Sequence, residues 1–222
     1  MPQKFINLKK SRHSLTNSSR KWLLRQINDP FVVKAKAEGY RSRAAFKLIE
    51  IDQKFKIFKK GQIVIDLGAA PGGWSQIAVA KVGKGNVFGL DLLEIEPIEG
   101  VTFIRQDFFL EQTGQKITDF LSSNKKRKKC DVVMSDMAAN TSGDARTDHL
   151  RIINLLEEAL NLAVKILNQG GCFIGKIFQG ASSSEIVAQL KNHFSCVKYF
   201  KPKSSRQESS ETYLVATGFT SN

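Results

Sequence analysis

Two charged side chains stand where apolar strands should carry none. Lys176 lies inside Cys172-Phe173-Ile174-Gly175-Lys176-Ile177-Phe178, and Asp136 ends Asp131-Val132-Val133-Met134-Ser135-Asp136. An amine near the carboxyl end of a central strand is costly to bury without a partner, and once neutral it is a base. A carboxylate ending the neighbouring strand is a natural partner. Ligands of open α/β sheets bind beyond those strand ends, so the two groups should face one crevice. A proton could be withdrawn from a substrate there. A lysine on an edge strand that merely reaches solvent is the plainer alternative.

The crevice needs a floor, and Val64-Ile65-Asp66-Leu67-Gly68-Ala69-Ala70-Pro71-Gly72-Gly73-Trp74 supplies one. The apolar run predicts a strand buried on both faces. Gly68, Gly72 and Gly73 let the backbone turn sharply and approach a ligand. The spacing predicts a helix over residues 74–82 with its N-terminus aimed at the site. It is not the G-x-G-x-x-G of a dinucleotide site. Asp66 would repel a pyrophosphate but could hold an ammonium group, which favours S-adenosylmethionine. A tight turn without a ligand is the alternative. Val87-Phe88-Gly89-Leu90-Asp91 predicts a second strand whose terminal acid suits ribose hydroxyls. Residues 101–104 predict a third, and Asp107 beyond it can meet an adenine amine. Either acid alone could simply cap a helix.

The elements that must position these groups follow from pattern. Residues 18–28 have helical spacing, broken at Asp29-Pro30. A helix from Phe31, a turn at Gly39 and a helix over residues 42–55 follow. From Gln62 strands and helices alternate. A long helix over residues 147–168 should stop at Gly170-Gly171. A helix over 183–193 and strands over 197–200 and 212–218 complete the chain, the last two as a hairpin. The fold expected is α/β: a Rossmann-like, seven-stranded, mostly parallel sheet with a C-terminal antiparallel hairpin and helices on both faces. Three parts are expected: a flexible basic arm over 1–17, a basic helical extension over 18–60 packed on the core, and the main domain over 61–222.

The net charge of +13 is concentrated. Residues 1–60 hold sixteen Lys or Arg and four Asp or Glu, whereas the remainder is nearly balanced. Such a field attracts a polyanion, RNA or DNA by default, with steep salt dependence. The acid-free residues 1–25 also resemble a mitochondrial transit peptide, although Lys outnumbers Arg and no small-residue cleavage site stands out. No apolar run has the length of a membrane helix. Three dispersed cysteines, without C-x-x-C, imply reduced, buried thiols in a cytosol-like compartment. The three histidines are scattered, and no metal site is visible. The tract from Lys125 to Lys129 reads as a solvated loop.

Several segments together resemble one family. They are Arg41-Ser42-Arg43-Ala44-Ala45-Phe46-Lys47-Leu48, the glycine loop through Gln76, Met134-Ser135-Asp136-Met137-Ala138, Lys176-Ile177-Phe178-Gln179-Gly180, and Lys201-Pro202-Lys203-Ser204-Ser205-Arg206 with Glu211-Thr212-Tyr213. The chain from about Ser18 to Phe219 resembles the FtsJ/RrmJ family of RNA ribose 2′-O-methyltransferases, and within it the bacterial branch that acts on a uridine of large-subunit ribosomal RNA. The resemblance implies a catalytic set of Lys47, Asp136, Lys176 and Glu211. It implies cofactor contacts at Gly72, Trp74, Asp91, Asp107 and Asp136, with S-adenosylmethionine as donor and no metal. One departure is Ala139, where the bacterial branch usually has proline. Arg20, Lys21, Arg41, Arg43 and Arg206 are the cations expected to meet RNA.

The expected reaction is in-line methyl transfer to a ribose 2′-oxygen, with Lys176 as general base and Lys47 and Glu211 orienting the hydroxyl. The implied substrate is ribosomal RNA in an assembled large subunit, and the enzyme is expected as a cytoplasmic monomer without membrane contact. The nearest rivals are a tRNA 2′-O-methyltransferase and a non-catalytic RNA-binding assembly factor. A Rossmann dehydrogenase is disfavoured by the loop spacing.

Overall fold

The protein is described by a computed structural model that covers residues 17–124, 128–138, 143–178 and 183–221. Among these, seven strands form one sheet: β1 (Val64–Leu67), β2 (Val87–Asp91), β3 (Val101–Arg105), β4 (Cys130–Ser135), β5 (Leu167–Phe178), β6 (Phe194–Phe200) and β7 (Glu211–Phe219). Their spatial order is β3-β2-β1-β4-β5-β7-β6. Strands β1 to β5 are parallel, and β7 is antiparallel to both β5 and β6. The chain winds outward from β1 through β2 to β3, then returns to place β4 on the other side of β1. The carboxyl ends of β1 and β4 therefore flank the switch point where open α/β sheets take their ligands. Gly68 and Asp136 leave the sheet at that point.

Parallel neighbours require crossover connections. Helices follow β1, β3, β4 and β5, namely α4 (Gly73–Val82), α5 (Glu111–Ser123), α6 (Ala145–Ile166) and α7 (Ser183–His193), whereas residues 92–100 join β2 to β3 without a helix. Three helices precede the sheet: α1 (Asn17–Ile27), α2 (Pro30–Ala37) and α3 (Ala44–Phe55). Strand side chains alternate between two apolar layers. Val64, Val87, Val132 and Ile174 pack with α3 and α4, whereas Ile65, Phe88, Val133 and Phe173 pack with α5, α6 and α7. Ala45, Leu48 and Ile51 of α3 belong to the first layer, so the core runs without interruption across residue 60.

Several local expectations need correction. Helix α5 was not foreseen, because Thr113, Ile117 and Leu121 are its only buried residues and the apolar stripe is thin. Helix α6 begins earlier than expected, where Asp144 accepts a hydrogen bond from the Thr147 amide at 2.7 Å. It ends at Ile166, before the glycine pair, because Leu167 already has extended backbone. Gly170-Gly171 instead lies in a ladder irregularity, since Cys130 pairs with Leu167 but Val132 pairs with Cys172. Strand β6 starts at Phe194, buried opposite Phe219. Cys130 and Cys172 are buried, but Cys196 on the outer strand is exposed. The arm over 1–16, residues 125–127 of the basic tract and residues 139–142 around Ala139 lie outside the described residues.

Gly89 lets the sheet sit tightly beneath the loop after β1. A Cβ there would lie 2.6 Å from the Phe103 ring and 3.0 Å from Cβ of Ala69. Both obstacles are held, one by β3 and one by the loop. Gly89→Ala is expected to cost ~1–3 kcal/mol by overpacking. Urea denaturation measures this, and an unchanged midpoint would contradict it.

Candidate active site

The site is assembled from residues that leave the strand ends. Gly68 turns the chain at φ +76°, and a side chain there would meet Met137 at 2.7 Å. The amides of Gly68 and Ala69 both donate to the Leu90 carbonyl at 3.0 Å. The Ala70 amide donates to Asp91 Oδ2 at 2.9 Å, and the Leu93 amide to its Oδ1 at 2.9 Å. Asp107 accepts from the Phe109 amide at 3.0 Å. Gly68, Asp91, Asp107, Asp136 and Met137 line a cavity of about 270 Å³. Leu92, Leu93 and Phe109 also line it and remain 61%, 65% and 54% exposed. Large apolar side chains left open around a concave site suit a flat, apolar ligand face.

Beside this cavity runs a chain of charged side chains. Lys176 on β5 is the cross-strand partner of Tyr213 on β7, and Phe178 that of Glu211. The period of two puts Glu211 and Tyr213 on one face of β7, the face that Lys176 shares across the ladder. Lys176 Nζ donates to Asp136 Oδ1 at 3.0 Å and to the Asp136 carbonyl at 2.9 Å. The Tyr213 hydroxyl donates to the same Oδ1 at 2.8 Å. Lys47, from α3, donates to Tyr213 Oη at 3.2 Å and pairs with Glu211 Oε1 at 2.7 Å. Ser205 Oγ donates to Glu211 Oε1 at 2.9 Å. Both lysines are nearly buried, at 9% and 8% exposure for Lys47 and Lys176.

Burial alone would raise the Asp136 carboxyl. The charges of Lys176 and Lys47, with hydrogen bonds from Lys176 and Tyr213, outweigh it and hold the group below the ordinary carboxylate range. Burial, reinforced by Asp136 and Glu211, pushes the Tyr213 phenol well up, so it keeps its proton and acts as a donor. Tyr213 thus joins the four charged residues, and neither it nor Ser205 was assigned a role from sequence. The available signal was a hydroxyl two positions from Glu211 on a buried strand face.

Other candidate residues lie elsewhere. Asp66, expected to meet an ammonium group, is fully buried beneath the loop and accepts from Ser75 Oγ at 2.6 Å. It is not among the residues lining the cavity. Gly73 opens α4 against Ser42, where a Cβ would lie 2.5 Å from Oγ. The indole of buried Trp74 donates to the Ala44 carbonyl at 2.8 Å, and its ring packs on Tyr213. Gly72 adjoins Arg41, which crosses the loop and donates to the carbonyls of Pro71, Glu96 and Pro97. A Gly73 side chain would point at Ser42 and the Trp74 indole reaches α3, and neither they nor Gly72 are among the residues lining the cavity of about 270 Å³.

Of the expected RNA-contacting cations, Arg43 is drawn inward, bonding Asp29 and the Ser204 carbonyl. Arg206 is held more loosely, with Nε 3.4 Å from Asp29 Oδ2. Arg20 is partly buried on α1, and the side chain of Lys21 lies outside the described residues. A groove of about 1080 Å³ runs between α1, α2 and the loop before β7, with Lys47 and Glu211 in its wall. Arg25, Lys36, Arg41, Arg43 and Arg206 line it with Glu208, so cations predominate.

The chain that carries this site is similar to known proteins. Residues 40–219 match the profile of the FtsJ-like methyltransferase family, and the chain belongs to that family. The Ribosomal RNA large subunit methyltransferase E of Bradyrhizobium diazoefficiens is 53% identical over 206 residues, covering 91% of this chain and 88% of that protein. Its namesake in Rickettsia bellii is 51% identical over 219 residues, covering 96% and 94%. Among solved structures, a ribosomal RNA methyltransferase of Plasmodium falciparum superposes with a TM-score of 0.71 at 32% identity, covering 81% of this chain and 98% of that one.

Asp66 carries a pH dependence that can be measured. Burial pushes its carboxyl up to about 7 from an ordinary 3.8, against a partly offsetting hydrogen bond from Ser75. The folded chain therefore binds this proton more tightly than the unfolded chain. Stability is lost as pH rises from about 4 through about 7. Asp136, Asp144 and Glu99 shift downward, so their contributions change only at lower pH. Asp66→Asn should remove the loss: the Tm of the native chain falls relative to the variant between about pH 5 and about pH 8. Parallel Tm profiles for the two proteins would show that Asp66 does not titrate in that range.

Proposed function

We propose that the chain transfers a methyl group from S-adenosylmethionine to the ribose 2′-hydroxyl of a uridine in large-subunit ribosomal RNA, with Lys176 as general base. The observation that carries this reading is the Lys176–Asp136 pair, with Nζ 3.0 Å from Oδ1, at the wall of the cavity lined by Asp91 and Asp107. The cavity residues fit the cofactor. Asp91 and Asp107 offer acceptors for ribose and adenine donors, and exposed Leu92, Leu93 and Phe109 offer an apolar bed for a base. When bound, S-adenosylmethionine supplies a sulfonium-activated methyl carbon.

The rest is the work of this chain's own residues. A ribose hydroxyl is a weak acid, so its proton must leave as the oxygen attacks. Lys176, paired as an ammonium with Asp136 at rest, first gives up a proton to solvent; the neutral amine then takes the hydroxyl proton: the O–H bond breaks, an N–H bond forms, and the restored ammonium rests against Asp136. Lys47, fixed by Glu211 and Tyr213, donates toward the attacking oxygen and orients it. The groove beside Lys47 and Glu211 admits the RNA. The excess charge of residues 1–60 draws the polyanion toward it. The names of the relatives and the family membership support ribosomal RNA over other polyanions. On this reading the enzyme is a cytoplasmic monomer that acts on the assembled large subunit late in its maturation.

Incubating the protein with labelled S-adenosylmethionine and unmodified large subunits, then mapping ribose methylation by mass, tests the reaction. Transfer RNA serves as the competing substrate. Lys176→Ala should lower methyl transfer at least ~100-fold, the scale of a lost general base. Calorimetry should show its affinity for S-adenosylmethionine unchanged. Turnover near the native rate would overturn the base assignment.

A further inference from the structure

We propose that the C-terminal half of α3 and the adjoining end of β6 form a second RNA-binding face, continuous with the catalytic groove. It would hold ribosomal RNA flanking the methylated nucleotide. The inference rests on the reading of the chain as an RNA methyltransferase. Residues 53–60 hold four lysines and no acid, and residues 195–207 hold three lysines, Arg206 and no acid. Folding brings these distant segments together. Phe55 and Phe200 meet edge to face with centroids 5.7 Å apart. Lys54 Nζ lies 5.0 Å from the Phe200 centroid and 5.8 Å from that of Phe55. Lys198 precedes Phe200 by two residues on the same face of β6.

The acids beside this patch do not cancel it. Glu50 accepts from the amides of Lys203 and Ser204 at 2.6 and 2.9 Å. Asp52, buried, accepts from the Phe58 amide at 3.1 Å and pairs with Lys81 at 3.1 Å. Lys54, Lys198 and Lys203 are exposed, whereas the Lys201 amine is bonded to the carbonyls of Gln207 and Ser209. Position supplies the continuity. Lys47 and Lys54 are seven residues apart on α3, hence on nearly the same side and ~10 Å apart along its axis. A strand that leaves the catalytic lysine along α3 meets Lys54 within a few nucleotides. An acidic protein would feel the same field, but the nearness of the patch to the groove, on the same helix as Lys47, favours RNA. Arg41 and Arg43 are committed to carbonyls and to Asp29, so the patch adds to the cations that Arg25, Lys36 and Arg206 present in the groove.

The test compares the full chain with the triple variant Lys54→Gln, Lys198→Gln, Lys203→Gln on unmodified large subunits and on protein-free large-subunit RNA. Methylation of subunits by the native chain is scored first, because its absence would sink the parent reading and leave the binding result standing separately. The expected result is weaker binding to both substrates. The slope of log affinity against log salt should flatten by about 2, the yield of two to three lost phosphate contacts. KM for subunits rises about tenfold, kcat and cofactor affinity are unchanged, and arginine at the three positions restores binding. An unchanged slope on both substrates overturns the proposal. A change confined to assembled subunits overturns it in favour of a protein partner. If the triple variant has a lowered Tm, Lys198→Gln alone decides, with an expected flattening of about 1 and none if the proposal is wrong.

Discussion

A carboxylate held between two ammonium groups in a nearly dry place is the constraint on which the site depends. Asp136 bonds Lys176 and Tyr213 through one oxygen, and Tyr213 in turn bonds Lys47, which Glu211 neutralises. Each member would be costly to bury alone, and removing one partner of such a set strands the others. The set exists because the topology delivers its members to one point. β4 and β5 are parallel neighbours, so Asp136 and Lys176 both lie toward the carboxyl end of the sheet. β7 runs antiparallel beside β5, so its first residues, Glu211 and Tyr213, arrive at that same end. Lys47 comes from a helix, one whose apolar face is part of the core. A parallel partner for β5 in place of β7 would have put Glu211 at the opposite edge.

The basic N-terminal segments pose the opposite problem, since like charges must be packed side by side. The four acids of the first sixty residues are all committed to this task. Asp29 caps α2 through the Phe31 amide and pairs with Arg43 and Arg206. Glu38 pairs with Lys34, Glu50 binds two amides of the loop before β7, and Asp52 pairs with Lys81. With sixteen cations in the segment against these four acids, the chain keeps a strong positive field while the acids hold its helical extension in place. Asp29 also ties the groove's two sides together, since Arg43 precedes α3 and Arg206 lies in the loop before β7.

The strands, their ends and the misplaced charges were legible because each is local. An apolar run announces a strand, and a lysine within it is an anomaly visible without the fold. What sequence did not show is partnership across distance. Arg41 binds the carbonyls of residues 71, 96 and 97, and carbonyls carry no residue-type signal. Nothing in the spacing says that Arg43 turns to Asp29 while Arg206 remains more open. Asp66 was assigned to the ligand because a carboxylate closing the strand just before the glycine turn could hold an ammonium group. Its rotamer instead follows Ser75, one turn into α4, and that choice is tertiary. Tyr213 was hidden for another reason: a tyrosine in a strand is ordinary, and only its cross-strand partner Lys176 makes it exceptional.

Cavity and groove meet across this charged chain. Asp136 lines the smaller space, Lys47 and Glu211 line the larger, and the Tyr213 hydroxyl bridges them by bonding Asp136 and Lys47. A tyrosine that keeps its proton is suited to this position because it adds no charge between two carboxylates and two ammonium groups. Phenylalanine would leave both lysine and aspartate a hydrogen bond short, and an acid would unbalance the set. The neutral bridge therefore lets the cavity and the groove share one wall without adding charge between them. In the proposed reaction, the one positive charge that leaves the donor reappears as the proton lost by the acceptor, which Lys176 takes beside Asp136.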